Sequence, residues 1–237
     1  MPGEHIIYHE LIEAMGQAGC PICRLCERAV AHYIDSVLYE QVNAPSFRDK
    51  FRSALGFCAQ HAAALAGAGR ALGIAILYKD ILDTLLQQAE RRPSAGEWRA
   101  LLAQHDACPA CQHYLTMEQA YLGAFVQYMD RPAFRQALSG SDGLCLAHLA
   151  KLLDHPLDAE TAQFLMEHHL ARWEHLRQEL GEYIRKNDYR FRHEPFGPEG
   201  DSWKRALGRL TTGRDLKEGE AGRRTGSRRR PSPRRCG

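Results

Sequence analysis

Six of the eight cysteines, with two of the twelve histidines, fall into two copies of one pattern. The first copy reads Cys20-Pro-Ile-Cys23 and, after 34 residues, Cys58-Ala-Gln-His61. The second reads Cys108-Pro-Ala-Cys111 and, after 33 residues, Cys145-Leu-Ala-His148. A CPxC pair at the start of a helix puts both sulfurs on one side of the first turn, where the positive helix end favours the thiolate that binds metal. In CxxH the cysteine and histidine are three apart and share a helix face. Closing the chain within each copy gathers Cys20, Cys23, Cys58 and His61 at one place and Cys108, Cys111, Cys145 and His148 at another. Three thiolates and an imidazole complete a tetrahedral zinc shell, with Zn–S of about 2.3 Å and Zn–N of about 2.0 Å, and leave no position for a reacting water. The spacing thus predicts a structural zinc ion in each copy. Iron or an iron–sulfur centre is the alternative cofactor, because thiolate-rich shells also suit iron. A dithiol redox role for CPxC is a further reading, although its usual strand-then-helix setting is missing and it leaves CxxH unexplained.

The elements that must position these residues read as helices. Pro45-Ser46-Phe47-Arg48 matches Pro132-Ala133-Phe134-Arg135 at an offset of 87, and Gly56-Phe57 matches Gly143-Leu144 at the same offset, so the chain carries an internal duplication. Pro21 and Pro109 suit a first helical turn, and apolar residues recur at three- and four-residue steps after each. The expected fold is all-α. It comprises two pseudo-repeated bundles of about five helices each, over residues 1–92 and 93–187, then a C-terminal aromatic strap over 188–212 and a disordered basic tail over 213–237. A helix break is expected at Gly67–Gly69. Cys26, with Tyr114 at the matching place, reads as a packing residue, and Cys236 as a free thiol in the tail. His168, His169 and His175 lie on the last long helix without an HExxH or ExxH pattern and read as solvated.

The chain has 237 residues, 44% hydrophobic and 25% charged, the mixture of a globular protein with a substantial core. No apolar run approaches the ~20 residues of a membrane helix, and no leader pattern opens the chain, which points to the cytoplasm and to no membrane partner. Walker loops, nucleotide-binding GxGxxG and GxSxG are missing, so nothing supports a hydrolase or kinase. The formal charge of +2 is a cancellation: residues from Gly213 onward carry 9 Lys+Arg against 3 Asp+Glu, leaving the first 212 residues at −4. The body therefore offers no basic surface to nucleic acid, which the tail alone can hold, loosely and in a salt-dependent manner.

The segment from Asn187 to Ala206, with Tyr189, Phe191, Phe196 and Trp203 among prolines and glycines, reads as a strap whose aromatic residues anchor it to the bundles. Its other reading is a docking surface with Trp203 and Phe196 as anchors. The twin CPxC…CxxH copies followed by KNDYRF…EP.G.E.DSW.RA resemble an uncharacterised bacterial family known only as a domain of unknown function, over about Tyr8 to Leu210. That resemblance implies an all-helical bacterial cytosolic protein and brings no established activity. The expectation is a non-enzymatic zinc-binding scaffold with an unidentified protein partner, with a thiol-based redox or metal-responsive protein as the alternative.

Overall fold

The computed structural model describes residues 2–65, 70–103 and 107–210. Among these residues every regular element is helical: α1 (Pro2–Met15), α2 (Pro21–Ser36), α3 (Pro45–Ser53), α4 (Ala59–Leu65), α5 (Ala71–Glu90), α6 (Ala95–Ala103), α7 (Pro109–Tyr128), α8 (Pro132–Gly140), α9 (Leu146–Leu153), α10 (Ala159–Lys186) and α11 (Ser202–Leu210). A π-helical turn, Val37–Gln41, extends α2, and a 3-10 turn, Pro198–Asp201, leads into α11. The fold is all-α, as expected. The glycine break at 67–69 and the tail from 213 lie outside the described residues, as does Cys236.

Local chemistry explains the helix boundaries. Pro21, Pro45 and Pro132 stand at helix starts, where a missing N–H costs nothing. Asp158 caps α10, its carboxylate accepting from the Thr161 N–H at 2.8 Å. Before α6, Ser94 and Glu97 form a capping box: the Glu97 carboxylate accepts from the Ser94 N–H at 2.7 Å and the Ser94 hydroxyl accepts from the Glu97 N–H at 3.3 Å. Helices α2 and α7 begin 88 residues apart, α3 and α8 87, α4 and α9 87, and α5 and α10 88.

Packing does not follow the sequence halves. The chain divides into one unit of Met1–Gln41 with Ala110–Asp215 and another whose described part is Val42–Pro109. The expected bundles over 1–92 and 93–187 are corrected accordingly: the opening helices α1 and α2 pack with helices of the second half. Apolar side chains drive this. In the first unit Tyr8 of α1 meets Tyr128 of α7 edge-on at 5.0 Å and lies 6.1 Å from Phe134 of α8, while Phe125 and Phe134 also pack edge to face. Leu11, Ile22, Leu25, Leu138, Leu152 and Leu165 are buried in the same unit. In the second unit Phe51 is the centre, touching Phe47, Phe57 and Tyr78.

The repeated PxFR string has one role in both units. Its phenylalanines, Phe47 and Phe134, are buried, and its arginines tie a short helix to the long helix that follows. Arg48 of α3 reaches Asp80 of α5 at 3.0 Å, with Arg52 on the same carboxylate at 2.8 Å. Arg135 of α8 reaches Glu160 of α10 at 2.9 Å and donates to the Met129 carbonyl at 2.8 Å. Burial would raise the Asp80 carboxyl, but hydrogen bonds from Arg48 and Arg52 outweigh it and hold the group below the usual carboxylate range. A carboxyl whose folded pKa is depressed stabilises the fold above its unfolded pKa, and that stabilisation is lost as pH falls through the folded value. Asp80→Asn therefore lowers Tm at neutral pH, by about 2–4 °C for a loss near 1 kcal/mol. Thermal scans of variant and parent should converge in acid; a deficit that stays constant down the pH series overturns the assignment.

The C-terminal strap is attached chiefly by ion pairs. Lys186 pairs with the buried Glu199 at 2.7 Å, Arg205 with Glu179 at 2.6 Å, Arg185 with Glu194, and the buried Arg209 with Asp142. Tyr189, Phe196 and Trp203 remain 73%, 50% and 43% exposed. The expectation that aromatic anchors hold this segment is corrected. Phe196 does stack on Tyr183 of α10, at 5.2 Å between ring centroids.

Candidate metal centres

All eight predicted residues converge, but crosswise. One cluster joins Cys20 and Cys23 to Cys145 and His148; the other joins Cys58 and His61 to Cys108 and Cys111, and within each the ligand atoms lie within 4.8 Å of one another. The expected pairing of each CPxC with the CxxH of its own copy is corrected. The reason is the packing just described: α2 lies in the same unit as α7, α8 and α9, so the thiols at its start meet the CxxH at the start of α9.

The first cluster has the dimensions of a tetrahedral site. A tetrahedron with Zn–S near 2.3 Å and Zn–N near 2.0 Å has S···S edges of about 3.8 Å and S···N edges of about 3.5 Å. Cys23 Sγ and Cys145 Sγ stand 3.7 Å apart, and His148 Nδ1 lies 3.4, 3.3 and 3.1 Å from the sulfurs of Cys20, Cys23 and Cys145. In the second cluster His61 Nδ1 lies 3.3 Å from Cys58 Sγ and 3.6 Å from Cys108 Sγ. The donor set and these edges fit a thiophilic cation in tetrahedral coordination. Among the protein groups alone, hydrogen bonding from Cys20 and Cys23 pulls the Cys145 thiol far down, while Cys23 is pushed up through its bond to Cys145. Although burial opposes it, contact with Cys145, Cys20 and Glu118 pushes His148 up to about 11. A cation entering the site displaces these protons, so affinity must fall with acidification.

Two further residues, Glu118 and Lys151, shape the first cluster. His148 Nε2 meets Glu118 Oε1 at 2.9 Å, and Lys151 Nζ binds the other carboxylate oxygen at 2.6 Å. Glu118 is buried, and burial alone would raise its carboxyl; hydrogen bonds from His148 and Lys151 hold it below the usual range. With a cation on Nδ1, the Nε2–H donates to this carboxylate, which fixes the ring and strengthens its basicity. Glu118→Gln should weaken metal binding at this cluster about 10- to 100-fold and leave the other unchanged. Competition with a chromophoric chelator reads this directly, and equal affinity in variant and parent overturns it.

His169 holds the loop that carries Cys145. It is 1% exposed; its Nδ1–H donates to the Leu165 carbonyl at 2.7 Å and its Nε2 accepts from the Leu144 N–H at 2.8 Å. Burial depresses its pKa, in keeping with a neutral ring of fixed tautomer. Gly143 before it has φ of +79°, and a Cβ there would stand 3.0 Å from the His169 ring, so this position admits only glycine without strain. Asp142 joins the two ligand loops by accepting from the Gly19 N–H at 2.8 Å while pairing with Arg209. The expectation of solvated histidines on α10 is thus wrong for His169, and also for His168, whose Nε2 is buried. His175, with its side chain 63% exposed, lies 3.6 Å from Glu179. Cys26 is fully buried and stands outside both clusters, burial foremost pushing its thiol up to about 12.

Residues 4–217 match the model of a family described as "Family of unknown function (DUF6062)". The chain belongs to this family. Within the reach of that DUF6062 match lie both clusters and the strap, whereas most of the basic tail falls beyond it. The chain is also 27% identical over 190 residues to the "Uncharacterized 23.9 kDa protein in xynA 3'region" of Caldicellulosiruptor sp. (strain Rt8B.4), covering 77% of this chain and 89% of that protein. No solved structure matches.

Proposed function

We propose that each cluster holds one zinc ion, and that the chain is a non-enzymatic cytosolic scaffold whose helices those ions fasten for binding a protein partner. The observation that carries this reading is the presence of two Cys3His groups, each with its four donor atoms within 4.8 Å. Four protein donors leave no open coordination position, which is the arrangement of a structural ion and not of one that activates water. Zinc is favoured over iron because mixed sulfur and imidazole donors at tetrahedral edges suit a d10 ion without preferred geometry. Thiolate donors of this kind persist in a reducing compartment, which supports the cytosol.

Elemental analysis of protein purified in air tests this. About two zinc ions per colourless chain are expected, one for each Cys3His group. Brown protein with visible absorbance and iron overturns the zinc assignment, and protein without stoichiometric metal overturns the reading altogether. A second reading, a thiol-based sensor, draws on the 3.7 Å approach of Cys23 and Cys145. Hydrogen peroxide that oxidises these two thiolates to a disulfide, taking up two protons from solvent and leaving as two waters, would expel the ion. Zinc release with one disulfide per ion released, reversed by a thiol reductant, would favour that reading.

A further inference from the structure

Helix α11 docks through its charged side. At about 100° per residue, Ser202, Arg205 and Arg209 share one face of it. Ser202 and Arg209 are buried, whereas Trp203, Leu207 and Leu210 stay 43%, 63% and 45% exposed. A surface helix ordinarily turns its apolar stripe inward and its ions outward; α11 does the reverse. The docked face is also incompletely paired: Ser202 Oγ and Arg209 Nε are buried and find no hydrogen-bond partner among the described residues. Polar atoms left so oppose docking. The helix therefore gains little from apolar burial and is held at two charged points, Arg205 on Glu179 and Arg209 on Asp142. An element fastened in this way opens more easily than a core helix.

The second of those points belongs to the frame of the first metal centre. Asp142 stands three residues before Cys145, and its carboxylate accepts from the N–H of Gly19, the residue before Cys20, at 2.8 Å. One carboxylate thus sits in the loop that delivers Cys145 and His148, touches the loop that delivers Cys20 and Cys23, and pairs with Arg209 of α11. On the reading that the first cluster holds zinc, we propose that the ion and the docking of α11 stabilise one another through Asp142, so that α11 is a latch that closes on the loaded centre and opens when the ion leaves. An ion shared by Cys20 and Cys145 keeps Gly19 and Asp142 within hydrogen-bond reach, and the carboxylate stays aimed at Arg209. Without the ion the two loops part more readily and Asp142 loses its orientation. A buried arginine whose partner moves away is an uncompensated charge, so the helix lets go. Linkage requires the converse: the factor by which α11 tightens the ion is the factor by which the ion tightens α11. Asp142, Arg209 and the four ligands all lie in one unit, and the second cluster shares none of them.

The test uses the full-length chain loaded with zinc. In competition with a chromophoric chelator, Arg209→Ala should hold one of its two ions about tenfold less tightly than the parent and the other equally well. Asp142→Asn keeps an acceptor for the Gly19 N–H and loses only the charge. It should match Arg209→Ala, and the double variant should lose no more than either. Amide exchange read by mass spectrometry gives the reciprocal half. In Cys145→Ser, which empties only the first centre, exchange across Ser202–Leu210 should rise about tenfold over the loaded parent while exchange across α8 stays as it was. Zinc held equally tightly by parent and Arg209→Ala overturns the latch and leaves the metal reading standing, whereas a parent that takes up no zinc overturns both. Weakening of both ions by Arg209→Ala, or exchange that rises in α8 as much as in α11, would be a general loosening of the fold and overturns the latch as well.

Discussion

Removing Cys20 and Cys58 together should empty both metal centres, whereas removing Cys20 and Cys145 together should empty one. The two double variants, Cys20→Ser/Cys58→Ser and Cys20→Ser/Cys145→Ser, each delete two ligands, so any difference in metal content reports pairing and nothing else. With the crossed clusters, Cys20 and Cys145 share a site, and their joint loss leaves Cys58, His61, Cys108 and Cys111 intact. That variant should retain about one ion per chain, while the other falls toward zero, since a shell of three donors binds far more weakly than a closed one. Pairing within each sequence copy predicts the opposite ranking. Elemental analysis after gel filtration decides it, and the reverse order would overturn the crossed arrangement.

Stripping metal with a strong chelator should lower Tm by about 10–20 °C, if even ~5 kcal/mol of the ~10 kcal/mol available to a structural zinc site supports the fold. The estimate follows from what each cluster joins. The first brings the start of α2 to the start of α9, two points 125 residues apart at Cys20 and Cys145. Without the ion, sulfurs and imidazole must share protons in a buried place, so the site becomes a liability. Readdition of zinc should restore the transition and magnesium should not, because a thiolate shell does not suit a hard cation. A shift of only about 2 °C or less on complete metal removal would mean that packing alone carries the fold.

The ligands were legible in the sequence because CPxC and CxxH impose spacing, and helix geometry turns spacing into direction. The helix ends were legible for the same local reasons: Pro21, Pro45 and Pro132 at first turns, Asp158 and Ser94 as caps. The pairing was not. Each half-motif occurs twice, so both pairings give the same ligand count and the same donors; only the way Tyr8, Tyr128 and Phe134 pack selects between them. Glu118 is marked in the sequence, standing seven residues after Cys111 and therefore on its face, among the buried Tyr114, Tyr121 and Phe125 of α7. An acid on such a stripe is a sign of a partner. His169 has no such mark, since its two hydrogen bonds are to backbone atoms, one of them from the distant loop that bears Cys145. The strap misled because dense aromatics read as anchors, while its ion pairs depend on where Glu179 and Asp142 stand in space.

The crossing of the clusters also orders events during synthesis. When translation has delivered residues 1–92, a CPxC and a CxxH are both present, yet neither has the companions it meets in the finished molecule. The thiols of Cys108 and Cys111 must emerge before Cys58 and His61 can close on an ion, and Cys145 and His148 must emerge before Cys20 and Cys23 can. Metal capture on the ribosome is therefore ordered, open to one centre once Cys111 has emerged and to the other only after His148, and the second centre to be written in the sequence is the first to be completed.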